Sequence, residues 1–217
     1  MNTREKFIFH KNFKYRHFTS TILAGNLKDK TLRDNFLISQ NLNPANLVLV
    51  NQVHSSDVKI VEKYNCGNFI DNCDGLITTD KSIILGIFTA DCVPLLMTNG
   101  IVKTAIHAGW RGIHSGIIEN AVGILNNKFS INPKDIEVYV GPHIHSCCYE
   151  VSRDFENIFN LKLKNNRLDL SEVVFSKLKK LGIVNIFDMN LCTCCQNNYF
   201  FSYRRNKTSD RILSLLA

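Results

Sequence analysis

The chain has 217 residues, of which 45% are hydrophobic and 21% charged, and it carries a formal net charge of +7. That composition excludes a disordered chain, a coiled coil and a collagen-like rod. The positive charge comes with 25 Asn, 17 Lys and 22 Ile, the bias of an AT-rich genome, and the lysines are scattered, so it implies no nucleic-acid partner.

A chain this long buries roughly 70% of the surface its unfolded form exposes and needs no disulfides or structural metal to hold a core. The N-terminal stretch MNTREKFIFHKNFK has charge but no apolar run of signal-peptide length. The longest strongly apolar stretch, Ile83 to Ala90, stops at Asp91, short of the roughly 20 residues that span a bilayer. The expectation is a cytoplasmic protein without a membrane partner, monomeric or homo-oligomeric, and a single domain over 1–217.

In chain order, residues 46–53 and 57–61 read as strands joined by the turn His54-Ser55-Ser56. Asp74-Gly75 opens a short strand, LITT. Residues 83–88 form a buried apolar strand running into Thr89-Ala90-Asp91-Cys92, and 93–97 continue extended. Residues 102–107 alternate in polarity and predict a further strand. Ala108-Gly109-Trp110-Arg111-Gly112 breaks it. Beyond lie Ile113, Ile117, Ala121, Ile124 and Leu125 at helical spacing, so a glycine-rich turn feeds a helix start, a place where backbone N–H groups can hold an anion. Residues 136–140 predict a strand, 150–160 and 169–181 predict helices, and 183–187 a strand. The second helix has Asp169 or Ser171 as its N-cap and Gly182 as its stop. Strands come in runs, so the expected fold is α+β, a layered sandwich of mixed β-sheets flanked by helices.

Three strand ends carry a metal-capable residue: His54, Cys92 and His107. Two imidazoles and a thiolate suit Zn²⁺ with a fourth position open, and tolerate copper. The spacing of 38 and then 15 residues matches no local metal motif. The same residues also admit a Cys92–His107 hydrolase dyad, structural histidines and a core thiol. Eight cysteines are many for a cytosolic chain. Cys192-Thr193-Cys194-Cys195 resembles half of a zinc knuckle whose other half is missing from the sequence, and Cys147-Cys148 are sequence neighbours, which rarely share one ion. The expectation is that these thiols are structural and metal-free.

Asn51-Gln52-Val53-His54, Thr89-Ala90-Asp91-Cys92-Val93-Pro94-Leu95, His107-Ala108-Gly109-Trp110-Arg111-Gly112, Gly141-Pro142-His143-Ile144 with Cys148-Tyr149-Glu150-Val151, and Phe200-Phe201-Ser202-Tyr203-Arg204-Arg205 fall in one order. In that order they resemble the YfiH-type family, once called the laccase-domain or multicopper polyphenol oxidase family and now described as purine nucleoside phosphorylases. The N-terminal third departs from the pattern, with Ile22 where an arginine is often found. The resemblance implies an α-β sandwich, with His54, Cys92 and His107 as zinc ligands. It implies phosphorolysis of adenosine, inosine and methylthioadenosine, and adenosine deamination. It also carries older ascriptions, to laccase-like copper oxidation and to the editing of peptidoglycan precursors. Copper oxidation by several ions is disfavoured because the chain has only seven His. For phosphorolysis, Arg111 is the expected phosphate-binding catalytic residue, with Asp91 as a base or ligand orienter. Gln52, Arg204 and Arg205 are expected at the substrate. The competing enzyme reading is a Cys–His amide hydrolase acting in peptidoglycan metabolism, and the competing non-enzymatic reading is a zinc-dependent interaction module.

Overall fold

The apolar runs become strands buried on both faces. Every residue of Ile84–Thr89 and of Val93–Thr98 is buried, which explains why neither run alternates in polarity. The computed structural model describes residues 5–217; the first four residues of the stretch read above for a targeting signal lie outside it. The strands are β1 (Phe7–Ile8), β2 (His17–Ser20), β3 (Leu47–Val50), β4 (Val58–Ile60), β5 (Phe69–Ile70), β6 (Gly75–Thr78), β7 (Ile84–Thr89), β8 (Val93–Thr98), β9 (Lys103–Ala108), β10 (Glu137–Val140), β11 (Asn185–Asp188) and β12 (Ile212–Leu216). They form two six-stranded sheets, in the orders β1-β2-β12-β7-β3-β5 and β11-β10-β8-β9-β6-β4. Both are mixed: β3 runs parallel to β5 and β7, β4 to β6, and β10 to β11, while the other pairs are antiparallel.

The period of two along each strand sorts its side chains into layers. Leu85 and Ile87 of the first sheet meet Leu96, Ala105 and Tyr139 of the second. On the other face of the first sheet, Ile84 and Phe88 pack with Phe36 and Leu37 of helix α1 (Lys30–Ser39). Leu95, Met97, Ile106 and Val138 of the second sheet lie under helix α3 (Ile117–Phe129) and helix α5 (Leu170–Lys180). The result is a helix–sheet–sheet–helix sandwich, as the sequence leads one to expect. No helix among the described residues is long and apolar enough to cross a membrane.

Four predicted elements differ in extent. The strand read over 46–53 is the four-residue β3, which ends at Val50. The helix expected beyond Gly112 is two helices: α2 (Trp110–His114) ends at Ser115, and Gly116, with φ 91°, restarts the chain into α3. Glycine tolerates that left-handed conformation, so the apolar spacing continues across the break. The helix predicted over 150–160 shrinks to α4 (Asp154–Phe159), because Val151 N–H donates to the Asn166 carbonyl (2.9 Å) and holds the preceding chain extended. The predicted 183–187 strand begins two residues later, since Ile183 N–H still closes the end of α5 on Leu178 O (3.0 Å). Asp169 is the N-cap of α5, accepting from Glu172 N–H.

Candidate metal centre and cationic cleft

Three chain segments deliver the three predicted metal donors to one point. His54 sits in the turn after β3 with φ 61°, and Asp91, just before Cys92, has φ 94°. Left-handed backbone at two non-glycine residues costs free energy and persists where the surroundings enforce it. His107 lies near the end of β9, paired with Pro94 of the neighbouring strand β8. The donor atoms of His54, Cys92 and His107 all lie within 4.8 Å of one another, and the two imidazole rings stand nearly perpendicular, at 87°. Gly109 backs this group: a Cβ there would lie 3.1 Å from His54 Cδ2, 3.3 Å from Cys92 Sγ and 3.6 Å from His107 Cε1. A side chain would crowd the ligands, so the glycine is required by close approach.

The sequence reading missed the residue that organises the centre. Asp74 is fully buried, and its carboxylate accepts from His107 Nδ1–H (2.7 Å) through one oxygen. The other oxygen accepts from Val53 N–H (3.1 Å), Ser55 N–H (2.7 Å) and the Ser55 hydroxyl (3.1 Å). One carboxylate thus fixes the turn that presents His54 and the ring of His107, leaving His107 Nε2 as the donor. Carboxylate–histidine pairing of this kind orients metal ligands and sets their tautomer. Burial alone would raise the Asp74 pKa, but these hydrogen bonds and the charge of His107 hold it below the usual carboxylate value. Burial likewise opposes the Cys92 thiolate. The charge and hydrogen bonding of His107, and then of His54, outweigh it and bring the thiol down to about 6. A thiolate at neutral pH is the form a metal needs.

Asp74→Asn tests the arrangement. If the amide NH₂ faces His107, it donates to Nδ1 and moves the ring proton to Nε2, the metal-facing atom. If instead it faces Val53 and Ser55, two half-buried N–H donors lose their acceptor. Either way, metal affinity is expected to fall roughly 10- to 100-fold, the usual effect of losing such a partner. A chelator-competition titration measures this; unchanged affinity would remove Asp74 from the centre.

The centre opens into a cleft of about 650 Å³. Five cationic side chains line it: Lys28, Arg111, Arg204, Lys207 and Arg211. Trp110 and Tyr149 supply aromatic faces, and Arg111 lies over the Trp110 ring (4.4 Å) as Arg204 lies over Tyr149 (5.1 Å).

A family model described as multi-copper polyphenol oxidoreductase laccase matches residues 24–217. The chain belongs to this family. It is 31% identical over 226 residues to the purine nucleoside phosphorylase of Clostridium acetobutylicum, covering 97% of this chain and 94% of that one. It is 30% identical over 187 residues to the purine nucleoside phosphorylase YfiH of Escherichia coli, covering 80% and 74%. Among solved structures, YlmD of Geobacillus stearothermophilus superposes with a TM-score of 0.85 at 25% identity, over 93% of this chain and 90% of that one.

Within this laccase-like frame, the other predicted site residues divide. Arg111 and Arg204 reach the cleft. Asp91 lines it too, but both carboxylate oxygens are engaged: one accepts from the Thr193 hydroxyl (2.6 Å), the other from Arg204 N–H (2.6 Å). It ties together two loops. Gln52 lines the cleft, yet its amide pairs with the N–H and carbonyl of Phe88 (3.0 and 2.7 Å) and extends the β3–β7 ladder. Arg205, expected at the substrate, lies outside the residues that line the cleft. Its guanidinium donates to the carbonyls of Thr193, Cys194 and Phe200 and clamps that loop. The lysine and arginine contributions of Lys28, Lys207 and Arg211 had no motif to reveal them.

The cysteines of the tail have neighbours that the sequence did not show. Cys147-Cys148 lies opposite Cys192-Thr193-Cys194-Cys195. A β-bridge between His143 and Cys192 aligns the two segments, and the sulfurs of Cys147, Cys148, Cys192 and Cys195 lie within 4.8 Å of one another.

Proposed function

We propose that this chain is a metal-dependent purine nucleoside phosphorylase, with zinc held by His54, Cys92 and His107. The observation that carries this reading is the opening of a His₂Cys donor set into a cleft lined by five cations, in which the carboxylate of Asp91 is already paired. Such a cleft suits a polyanion beside a planar base. The names of the relatives support the same reading. The donor set fits zinc: three protein ligands, borderline-soft, with the thiolate favoured and a glycine keeping the approach clear. It also accepts copper, as the family description implies. When bound, the metal supplies a Lewis-acid site at the base of the cleft.

In phosphorolysis, phosphate attacks C1′ of the ribose while the purine leaves. Positive charge develops on the sugar and negative charge on the base. The chain's own residues contribute positioning and charge. Arg111 and Arg204 present planar guanidinium forks suited to phosphate, and the aromatic faces they cover hold them in place. Trp110 and Tyr149 line the cleft beside these guanidinium groups and give its wall an aromatic character suited to a planar base. Asp91 acts as a positioning residue, fixing Arg204 through its backbone. The substrates in this reading are adenosine, inosine and methylthioadenosine, with adenosine deamination as a second, phosphate-independent reaction of the same site.

The row Asp74–His107–Cys92 also has the order of a thiol hydrolase, in which His107 would activate Cys92 and Asp74 would orient His107. His54 at the third corner favours the metal. The test is release of free purine from each nucleoside by the zinc-loaded protein, with and without phosphate. Base release that requires phosphate and yields ribose 1-phosphate is the expected result. Inactivation by thiol alkylation with no loss of metal and no phosphate dependence would favour the hydrolase.

A further inference from the structure

The four sulfurs of Cys147, Cys148, Cys192 and Cys195 converge on a face of the protein outside the nucleoside cleft, and the function proposed above makes no use of them. Cys195 Sγ lies 3.4 Å from Cys147 Sγ and 3.3 Å from Cys148 Sγ, and all eight cysteines of the chain are free thiols. A disulfide would join one pair and leave two sulfurs over. Four mutually close sulfurs are instead the arrangement around a shared ion. In a tetrahedral zinc–thiolate centre with bonds of about 2.3 Å, the sulfurs stand about 3.8 Å apart. The observed separations, from 3.3 Å up to the 4.8 Å limit, bracket that edge.

The backbone supports the same conclusion. Cys192-Thr193-Cys194-Cys195 is a Cys-x-x-Cys turn, closed by Gln196 N–H donating to Cys192 O (3.0 Å). From the opposite turn, His145 N–H donates to Cys192 Sγ (3.5 Å). The opposite turn is closed by Cys148 and Tyr149 N–H donating to His145 O (both 2.9 Å). Two guanidinium groups flank the pair of turns: Arg167 donates to the carbonyls of Ser146 and Cys147, and Arg205 to those of Thr193 and Cys194. Four thiolates on one divalent ion make a dianionic centre, and these cations sit where they offset it.

We propose that Cys147, Cys148, Cys192 and Cys195 form a second metal site, a closed four-thiolate zinc centre with a structural role. Binding displaces the thiol protons to solvent and joins two turns whose cysteines are 44 residues apart, from Cys148 to Cys192. Each turn also shapes the cleft. Tyr149 follows Cys148, and its ring lies beside Arg204, which in turn donates to Glu150 O (2.7 Å). Thr193 follows Cys192 and holds Asp91. The second ion therefore fixes the wall of the cleft without touching substrate.

The test uses full-length protein purified from zinc-supplemented medium under reducing conditions. Elemental analysis is expected to give two zinc ions per chain in the native protein and one in the Cys92→Ala variant. X-ray absorption on Cys92→Ala should show a shell of four sulfurs at about 2.3 Å and no nitrogen. Cys195→Ser should lose this ion and keep the one at His54, with four-sulfur character absent from its spectrum. Because the absorption measurement needs no change in the cluster, a Cys195→Ser protein that failed to fold would leave the test intact. One zinc in the native protein and none in Cys92→Ala would overturn the proposal, as would a thiol titration showing two of the four cysteines joined in a disulfide. The first result would leave the His54–Cys92–His107 centre standing as the one metal site, and the failure of that centre would instead appear as one zinc per chain in both proteins.

Discussion

Changing Cys92 to alanine is expected to empty the His54–Cys92–His107 centre and reduce nucleoside phosphorolysis to background. The thiolate is the only anionic donor of the three, and without it two imidazoles must hold a dication alone. We expect metal affinity to fall by at least about 100-fold, the upper end of what loss of a mere supporting partner causes. Serine should not rescue it, because a hydroxyl does not ionise near neutral pH as the Cys92 thiol does at about 6. The fold should survive. The side chain is small and half-buried, and His107 keeps its bond to Asp74. Circular dichroism should therefore match the native protein while elemental analysis reports one zinc fewer. Native metal content in the alanine variant would show that the ligand set is wrong.

The three candidate donors were legible in the sequence as strand-end residues, because strands buried on both faces announce themselves as apolar runs. Ile83 to Ala90 and Val93 to Met97 needed no tertiary information, and the cysteine between them falls at the turn. Asp74 was not legible. In the sequence it is an Asp-Gly pair opening a strand. Its role arises from the antiparallel register of β6 on β9, which pairs Gly75 with Ile106 and so sets Asp74 against His107, 33 residues away. The same limit hid the four-cysteine cluster, since the bridge between His143 and Cys192 is a long-range contact that no local spacing encodes. The N-terminal elements were missed for a different reason. β1 and β2 have only two and four residues, too few to show a period, and α1 buries only Arg33, Phe36 and Leu37. Arg204 and Arg205 show the remaining ambiguity: adjacent residues of one type, one facing the cleft and the other clamping a loop. Which does which follows from α6 (Tyr203–Asn206), whose turn sends neighbouring side chains in different directions.

Replacing Arg111 by alanine is expected to separate the two nucleoside reactions. Three residues lie between Arg111 and His107, and the chain turns through Gly109 so that the guanidinium lines the same cleft. Its position over the Trp110 ring restrains a side chain that would otherwise be mobile, and Trp110 is itself packed against Phe155 (4.8 Å). A restrained fork is prepared for bidentate contact with phosphate oxygens before the substrate arrives. Losing a prepared charge donor of this kind costs about 2–4 kcal/mol of transition-state stabilisation, roughly 30- to 1000-fold in rate. Arg111→Lys should recover little, because an ammonium lacks the planar fork and stacks poorly on the indole. Deamination consumes no phosphate, so adenosine-to-inosine conversion should fall far less in the same variant. The comparison to make is phosphate-dependent adenine release against phosphate-independent inosine formation, with metal content measured in both proteins. If the two activities fall together while the metal stays bound, Arg111 holds the nucleoside or the loop rather than phosphate. The phosphate contact then passes to Arg204, whose guanidinium faces the same cleft from the opposite loop.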